Sequence, residues 1–143
     1  MKNILMRSLV IFIVMSLLNA QFSEWTLHFL KEKSDGIVMV PIGVLVDCLI
    51  VTIVSFITVL LFRKNYSSVL RIAVLFEIIY LLTLIISGTN PFAYFSNKTD
   101  AGLLALFIYI NSFVVFLIVC IFHLIYFKII ASKIKNYPTS RTR

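Results

Sequence analysis

Apolar residues fill four stretches of this chain, about 4–23, 37–62, 69–90 and 101–127, and short polar segments separate them. A helix crosses the roughly 30 Å hydrocarbon core of a bilayer with about 20 residues, so each stretch predicts one membrane span. Four crossings use nearly the whole chain and leave no room for a soluble domain. No internal repeat is evident. The expected architecture is therefore an all-α membrane protein, a four-helix transmembrane bundle forming a single domain.

The punctuation between the spans is readable. After the first span, Phe22, Trp25, Phe29 and Leu30 recur at helical spacing while Glu24, His28 and Lys31 take other faces. That pattern suits either a short helix lying in the outer interface, with Trp25 as its anchor, or an extension of the first helix. Lys31 to Gly36 reads as a polar turn, and Pro41 falls in the first turns of the second helix, where a missing N–H does least harm. Arg63 to Ser68 makes a tight turn, so the second and third helices form an antiparallel pair. Ser87-Gly88-Thr89-Asn90-Pro91 stops the third helix. Phe92, Tyr94 and Phe95 then follow at headgroup level, and Asn97-Lys98-Thr99 matches a glycosylation sequon, a motif too short to carry weight. The fourth helix starts near Asp100 and can run to Ser132, about 48 Å, so its last turns should leave the bilayer.

Composition agrees with this picture, with 61% hydrophobic and 13% charged residues. The net charge of +7 changes it only through its distribution. Lys2, Arg7, Arg63, Lys64, Arg71, Lys128, Lys133, Lys135, Arg141 and Arg143 lie at the N-terminus, the 63–71 turn and the tail 128–143, with no acid among them. Under the positive-inside rule both termini and that turn are cytoplasmic, as expected for a bacterial inner-membrane protein. The basic tail suits anionic headgroups, and nucleic acid is not an expected partner. The start also resembles a secretory signal peptide, with Leu18-Asn19-Ala20 at the candidate cleavage point; retention as a fourth span is the preferred reading. Cys48 and Cys120 lie inside spans without metal-ligand spacing, and they read as small core residues.

Two acids carry the candidate chemistry. Asp47 and Glu77 fall near the centres of the second and third spans, where an ionised side chain costs at least a few kcal/mol. Asn111 lies at similar depth in the fourth. On the second helix Gly43, Asp47 and Thr58 share a face, and on the third Ala73, Glu77 and Gly88 do, so both acids should point into the bundle or into an oligomer seam. Three roles remain open for them. They can act as neutral structural glue bonded to Asn111, Tyr80, Thr58 or backbone carbonyls, as a proton or cation path in an oligomer, or as a surface that meets a partner's transmembrane helix. Arg7 and Arg71 should snorkel to the headgroups, and His123 and Lys128 sit near the same boundary. His123 can meet Arg71, Glu77 or headgroups. No catalytic triad, metal cluster or phosphate loop is present, so an enzyme, a metal site and a cofactor are not expected.

Val46-Asp47-Cys48, Val69-Leu70-Arg71, Thr99-Asp100-Ala101 with Leu103-Leu104, Phe107 and Tyr109, and the basic exit from Phe127-Lys128 to Lys135 give the chain a family resemblance. It resembles the immunity proteins of the colicin A type. That resemblance implies a four-helix inner-membrane protein, with both termini cytoplasmic, that protects a toxin producer by engaging a pore-forming domain within the membrane. The first outer segment, Gln21 to Gly36, is shorter than the family's, which speaks against toxin contact through that loop. An accessory subunit of a larger membrane complex and an ion-conducting homo-oligomer are the other two readings.

Overall fold

The computed structural model describes residues 2–30 and 40–135. Its helices are α1 (Lys2–Leu30), α2 (Val40–Leu61), α3 (Val69–Ile86), the short α4 (Ala93–Asn97) and α5 (Asp100–Lys135). No strand occurs among the described residues. All but α4 are long and apolar enough to cross a membrane. At about 1.5 Å per residue they measure roughly 44, 33, 27 and 54 Å in chain order. The turn expected over Lys31–Gly36, the start of the second helix at Ile37 and the tail from residue 136 lie outside the described residues.

Packing is uneven around the bundle. α1 packs on α2, α3 and α5, and α3 also packs on α2 and α5, whereas the backbones of α2 and α5 make no close approach among the described residues. The cross-section is thus a rhombus with α1 and α3 on its short diagonal. The buried residues of α1 are Ser8, Phe12, Met15, Asn19, Ser23 and Leu27, and those of α2 are Val44, Cys48, Val51, Ser55 and Val59. Their three- and four-residue spacing draws one seam along each helix, and the small side chains in it let backbones approach closely. Phe76 stacks on Phe12 at 5.6 Å and on Tyr80 at 6.2 Å, forming an aromatic column where α1 meets α3.

α1 is one continuous helix, so of the two readings open for the segment around Trp25 the extension of the first helix is the one observed. The reason lies in its contacts. Ser23 and Leu27 are buried, and Thr26 receives a bond from α5, so the second half of α1 is held against the bundle. Trp25 and Phe29 stay exposed on its outer side. The candidate cleavage point lies inside this helix, where Asn19 is buried and its Nδ2 donates to the Met15 carbonyl at 3.1 Å.

Local chemistry accounts for the other boundaries. α3 ends in a Schellman motif: Gly88 N–H donates to the Ile85 carbonyl and Thr89 N–H to the Leu84 carbonyl, with Gly88 at φ +81°. A residue without Cβ takes that conformation at little cost. Gly88 therefore sits beyond the helix rather than on the face of Glu77. Asn90 Oδ1 accepts from the Phe92 N–H at 2.9 Å and opens the path into α4, a helix that the sequence pattern did not announce. Thr99 caps α5, its Oγ1 accepting from the Gly102 N–H at 3.2 Å, and Asp100 places negative charge at the helix N-terminus.

Gly102 is where α4 and α5 touch. A Cβ built there would lie 2.7 Å from the Tyr94 nitrogen and 2.9 Å from its Cα. Gly102→Ala should therefore push α4 away and destabilise the protein by roughly 1–3 kcal/mol. Gly43→Ala meets nothing within 4 Å and should be neutral or stabilising by up to about 1 kcal/mol. Thermal unfolding of both variants in detergent checks the contrast.

Candidate functional site

The two intramembrane acids have opposite surroundings. Glu77 is 6% exposed on α3, and the fully buried Ser112 of α5 places its Oγ 2.8 Å and 2.9 Å from the two carboxyl oxygens. Ala73 and Glu77 share the face that α3 turns toward its neighbours, which puts the carboxyl into the α3–α5 seam. Asp47 is only half-buried and makes no hydrogen bond among the described residues. It lies roughly 80° around α2 from the seam of Val44, Cys48, Val51, Ser55 and Val59, counting about 100° per residue. Thr52 takes the other flank, where its Oγ1 is 3.2 Å from Ser16 Oγ of α1. Exposed Val46, Leu49 and Ile50 surround Asp47 in sequence. It therefore belongs to the rim of the bundle.

The remaining expected residues separate into local bonds and helix-to-helix bonds. Asn111 does not reach either acid; its Nδ2 donates to Thr26 Oγ1 at 2.9 Å and ties α5 to α1. Adjacent residues on a helix point about 100° apart, so while Asn111 faces α1 its neighbour Ser112 faces α3. Thr58 donates to the Val54 carbonyl of its own helix at 2.9 Å and is no partner for an acid. The Tyr80 hydroxyl is buried with no hydrogen-bond partner among the described residues, and the Cys48 thiol is among its polar neighbours. Tyr80 and Cys48 both lie within electrostatic range of Asp47 and Glu77. Tyr109 donates from its hydroxyl to the Thr89 carbonyl at 2.9 Å and fastens α5 to the segment after α3.

The basic and aromatic boundary residues are also distributed. Arg71 donates from Nη1 to the Asn65 carbonyl at 3.0 Å and closes the α2–α3 turn. Trp25 is exposed and meets Phe22 edge-to-face at 5.4 Å. His123 approaches neither Glu77 nor Arg71 by hydrogen bond among the described residues; it lines a groove with Arg7 between α1 and α5. Lys128 is exposed on the next turn of α5.

Ser112, Thr26, Ser16 and Thr52 are the residues that sequence reading missed. Ser112, Ser16 and Thr52 sit in apolar runs and Thr26 sits near Glu24 and His28, and many such serines and threonines bond only their own helix. Among the described residues no group of three His, Cys, Asp or Glu side chains could hold a metal ion. Chemically, the arrangement offers one hydrogen-bonded carboxyl in a buried seam and one carboxyl at the rim of the bundle with no hydrogen-bond partner among the described residues. Comparison with protein-family models, with curated proteins and with solved structures finds no match to any of the three.

Proposed function

We propose that this chain is a non-enzymatic bacterial inner-membrane protein that acts by recognising another protein's helices inside the bilayer, with immunity to a pore-forming bacteriocin as its role. The observation that carries the reading is Asp47, a carboxyl within a span, half-buried at the rim and lacking a hydrogen bond among the described residues. A charged group facing lipid costs a few kcal/mol, and polar residues inside membranes pair with one another or mark a functional contact. A basic or hydroxyl group on a partner's transmembrane helix would satisfy Asp47 in the plane of the membrane. Glu77 is already bonded to Ser112, which supports a structural role for it within the bundle.

The proposed orientation has both termini and the 63–71 turn in the cytoplasm, from the clustering of basic residues. Reporter fusions at Lys64 should read cytoplasmic and fusions at Lys98 periplasmic; a periplasmic signal at Lys64 would overturn the orientation.

Expression in a sensitive bacterium tests the function. The chain should block a cognate pore-former even when the toxin's receptor and import steps are bypassed, because the proposed contact follows arrival in the membrane. Exchanging the connecting segments should matter less than exchanging α2, α3 and α5. Equal killing of cells with and without the chain, together with co-purification of larger membrane subunits, would instead assign the Asp47 face to an accessory subunit. Acid-dependent conductance of the purified chain in liposomes would point to an ion-conducting oligomer.

A further inference from the structure

The groove between the start of α1 and the last third of α5 has a chemistry that the recognition reading does not use. It encloses about 440 Å³, and its polar lining is Arg7, His123 and Tyr126 against apolar walls that include Val10, Val69 and Ile130. No acid lines it among the described residues, so none of these compensates the Arg7 charge within the groove. The opening of α1 contributes the positive end of a helix dipole to the same region, and Lys128 follows on α5. Arg7 lies three residues past the start of the first apolar span at Ile4, about 5 Å along the helix. The groove therefore joins a cationic mouth to an apolar floor at the depth of a headgroup and its first methylenes.

We propose that this groove is a specific site for an anionic phospholipid of the adjoining leaflet. The phosphate is recognised by the Arg7 guanidinium, whose planar fork of N–H donors matches phosphate oxygens, with further donors from the His123 ring and the Tyr126 hydroxyl. The glycerol region and the beginnings of the acyl chains lie against Val10, Val69 and Ile130. The volume falls within the range of small-molecule pockets, enough for a headgroup and the start of its chains. A free phosphate would leave the apolar wall uncovered, which is why the lipid is the expected occupant. Basic pockets between transmembrane helices select anionic headgroups in this way, at about fivefold in affinity for each basic residue engaged.

The test uses the full chain in nanodiscs containing equal phosphatidylglycerol and phosphatidylcholine, with a spin-labelled version of each lipid reporting the fraction immobilised on the protein. The wild-type chain should prefer phosphatidylglycerol by roughly fivefold or more. Arg7→Gln should remove most of that preference, Arg7→Lys should restore most of it, and His123→Gln should lower it partially. Lys64→Gln, which removes a charge from the α2–α3 turn, should leave it unchanged. Arg7 is exposed, so the helical circular dichroism of its variants should match wild type. Equal immobilisation of the two lipids by the wild-type chain would overturn the proposal. So would a preference that survives Arg7→Gln, which would assign the selectivity to the basic rim in general. Displacement of the labelled lipid by millimolar glycerol phosphate would replace the lipid with a soluble phosphate as ligand.

Discussion

Ser112→Ala should destabilise the bundle more than Glu77→Leu, although the second change removes the larger and more polar group. Alanine at 112 leaves the Glu77 carboxyl, 6% exposed, without the hydroxyl that both of its oxygens meet at 2.8 Å and 2.9 Å. A buried polar group stripped of its partner costs roughly 1–3 kcal/mol. Leucine at 77 leaves only the serine hydroxyl, which can rotate to the carbonyl of Ile108 one turn earlier in its own helix. Glu77→Gln retains a group able to bond Ser112 and should cost less than about 1 kcal/mol. The double variant Glu77→Leu with Ser112→Ala removes both polar groups and should lie close to the Glu77→Leu single variant. With the double variant level with Glu77→Leu, the coupling from the full cycle should equal the Ser112→Ala cost, roughly 1–3 kcal/mol. Unfolding in mixed micelles measures all four proteins. Additive effects would show that the hydroxyl and the carboxyl act independently.

Asp47→Leu should have the reverse profile, abolishing protection against a cognate pore-former while leaving membrane abundance and unfolding midpoint unchanged or raised. Asp47 makes no hydrogen bond among the described residues, and leucine at a rim position removes an acid whose exposure to lipid costs about 2.5–3.5 kcal/mol on insertion scales. If the partner helix offers a basic group, losing the carboxyl leaves that charge unpaired. Truncating one member of such a pair costs about 2–5 kcal/mol, or at least roughly 30-fold in affinity. Asp47→Asn keeps a hydrogen-bonding group and should retain part of the protection. Immunoblotting of the membrane fraction separates loss of contact from loss of protein. Full protection by the leucine variant would remove Asp47 from the recognition surface, whatever the toxin.

These contrasts depend on a distinction that the amino-acid pattern could not draw between the two acids. Both are single carboxyls in long apolar runs, and both share a helical face with a glycine or alanine. On α3 and α5 apolar residues cover every side, so no polar face marks which direction is inward, whereas Ser8, Asn19 and Ser23 mark the buried seam of α1; a shift of one residue turns a side chain by about 100°. Asp47 is next to the buried Cys48, yet it sits on the rim. Likewise Asn111 stands beside Ser112, yet the asparagine bonds α1 and the serine bonds α3. The sequence reading offers Asn111 to both acids on depth alone, beside Tyr80, Thr58 and backbone carbonyls, and depth does not say which way a side chain points, so Ser112 is not among the candidates.

Length, hydrophobicity and punctuation were enough to read a helical membrane protein with four candidate spans and two intramembrane acids. These features are written locally: about 20 apolar residues span the hydrocarbon, and Gly88, Thr99 and Asp100 meet helix-end requirements satisfied within a few neighbours. The neighbours of each helix were not written locally. That α1 touches three helices while α2 and α5 stay apart, that Gly102 admits the backbone of Tyr94, and that Ser112 rather than Asn111 meets Glu77 all depend on how the helices rotate and cross. In a bilayer the lipid chains are as apolar as the side chains they meet, so hydrophobicity holds a helix in the membrane but does not orient it. Orientation comes from close packing of small residues and from a few interhelical hydrogen bonds, and both exist only once the helices have come together.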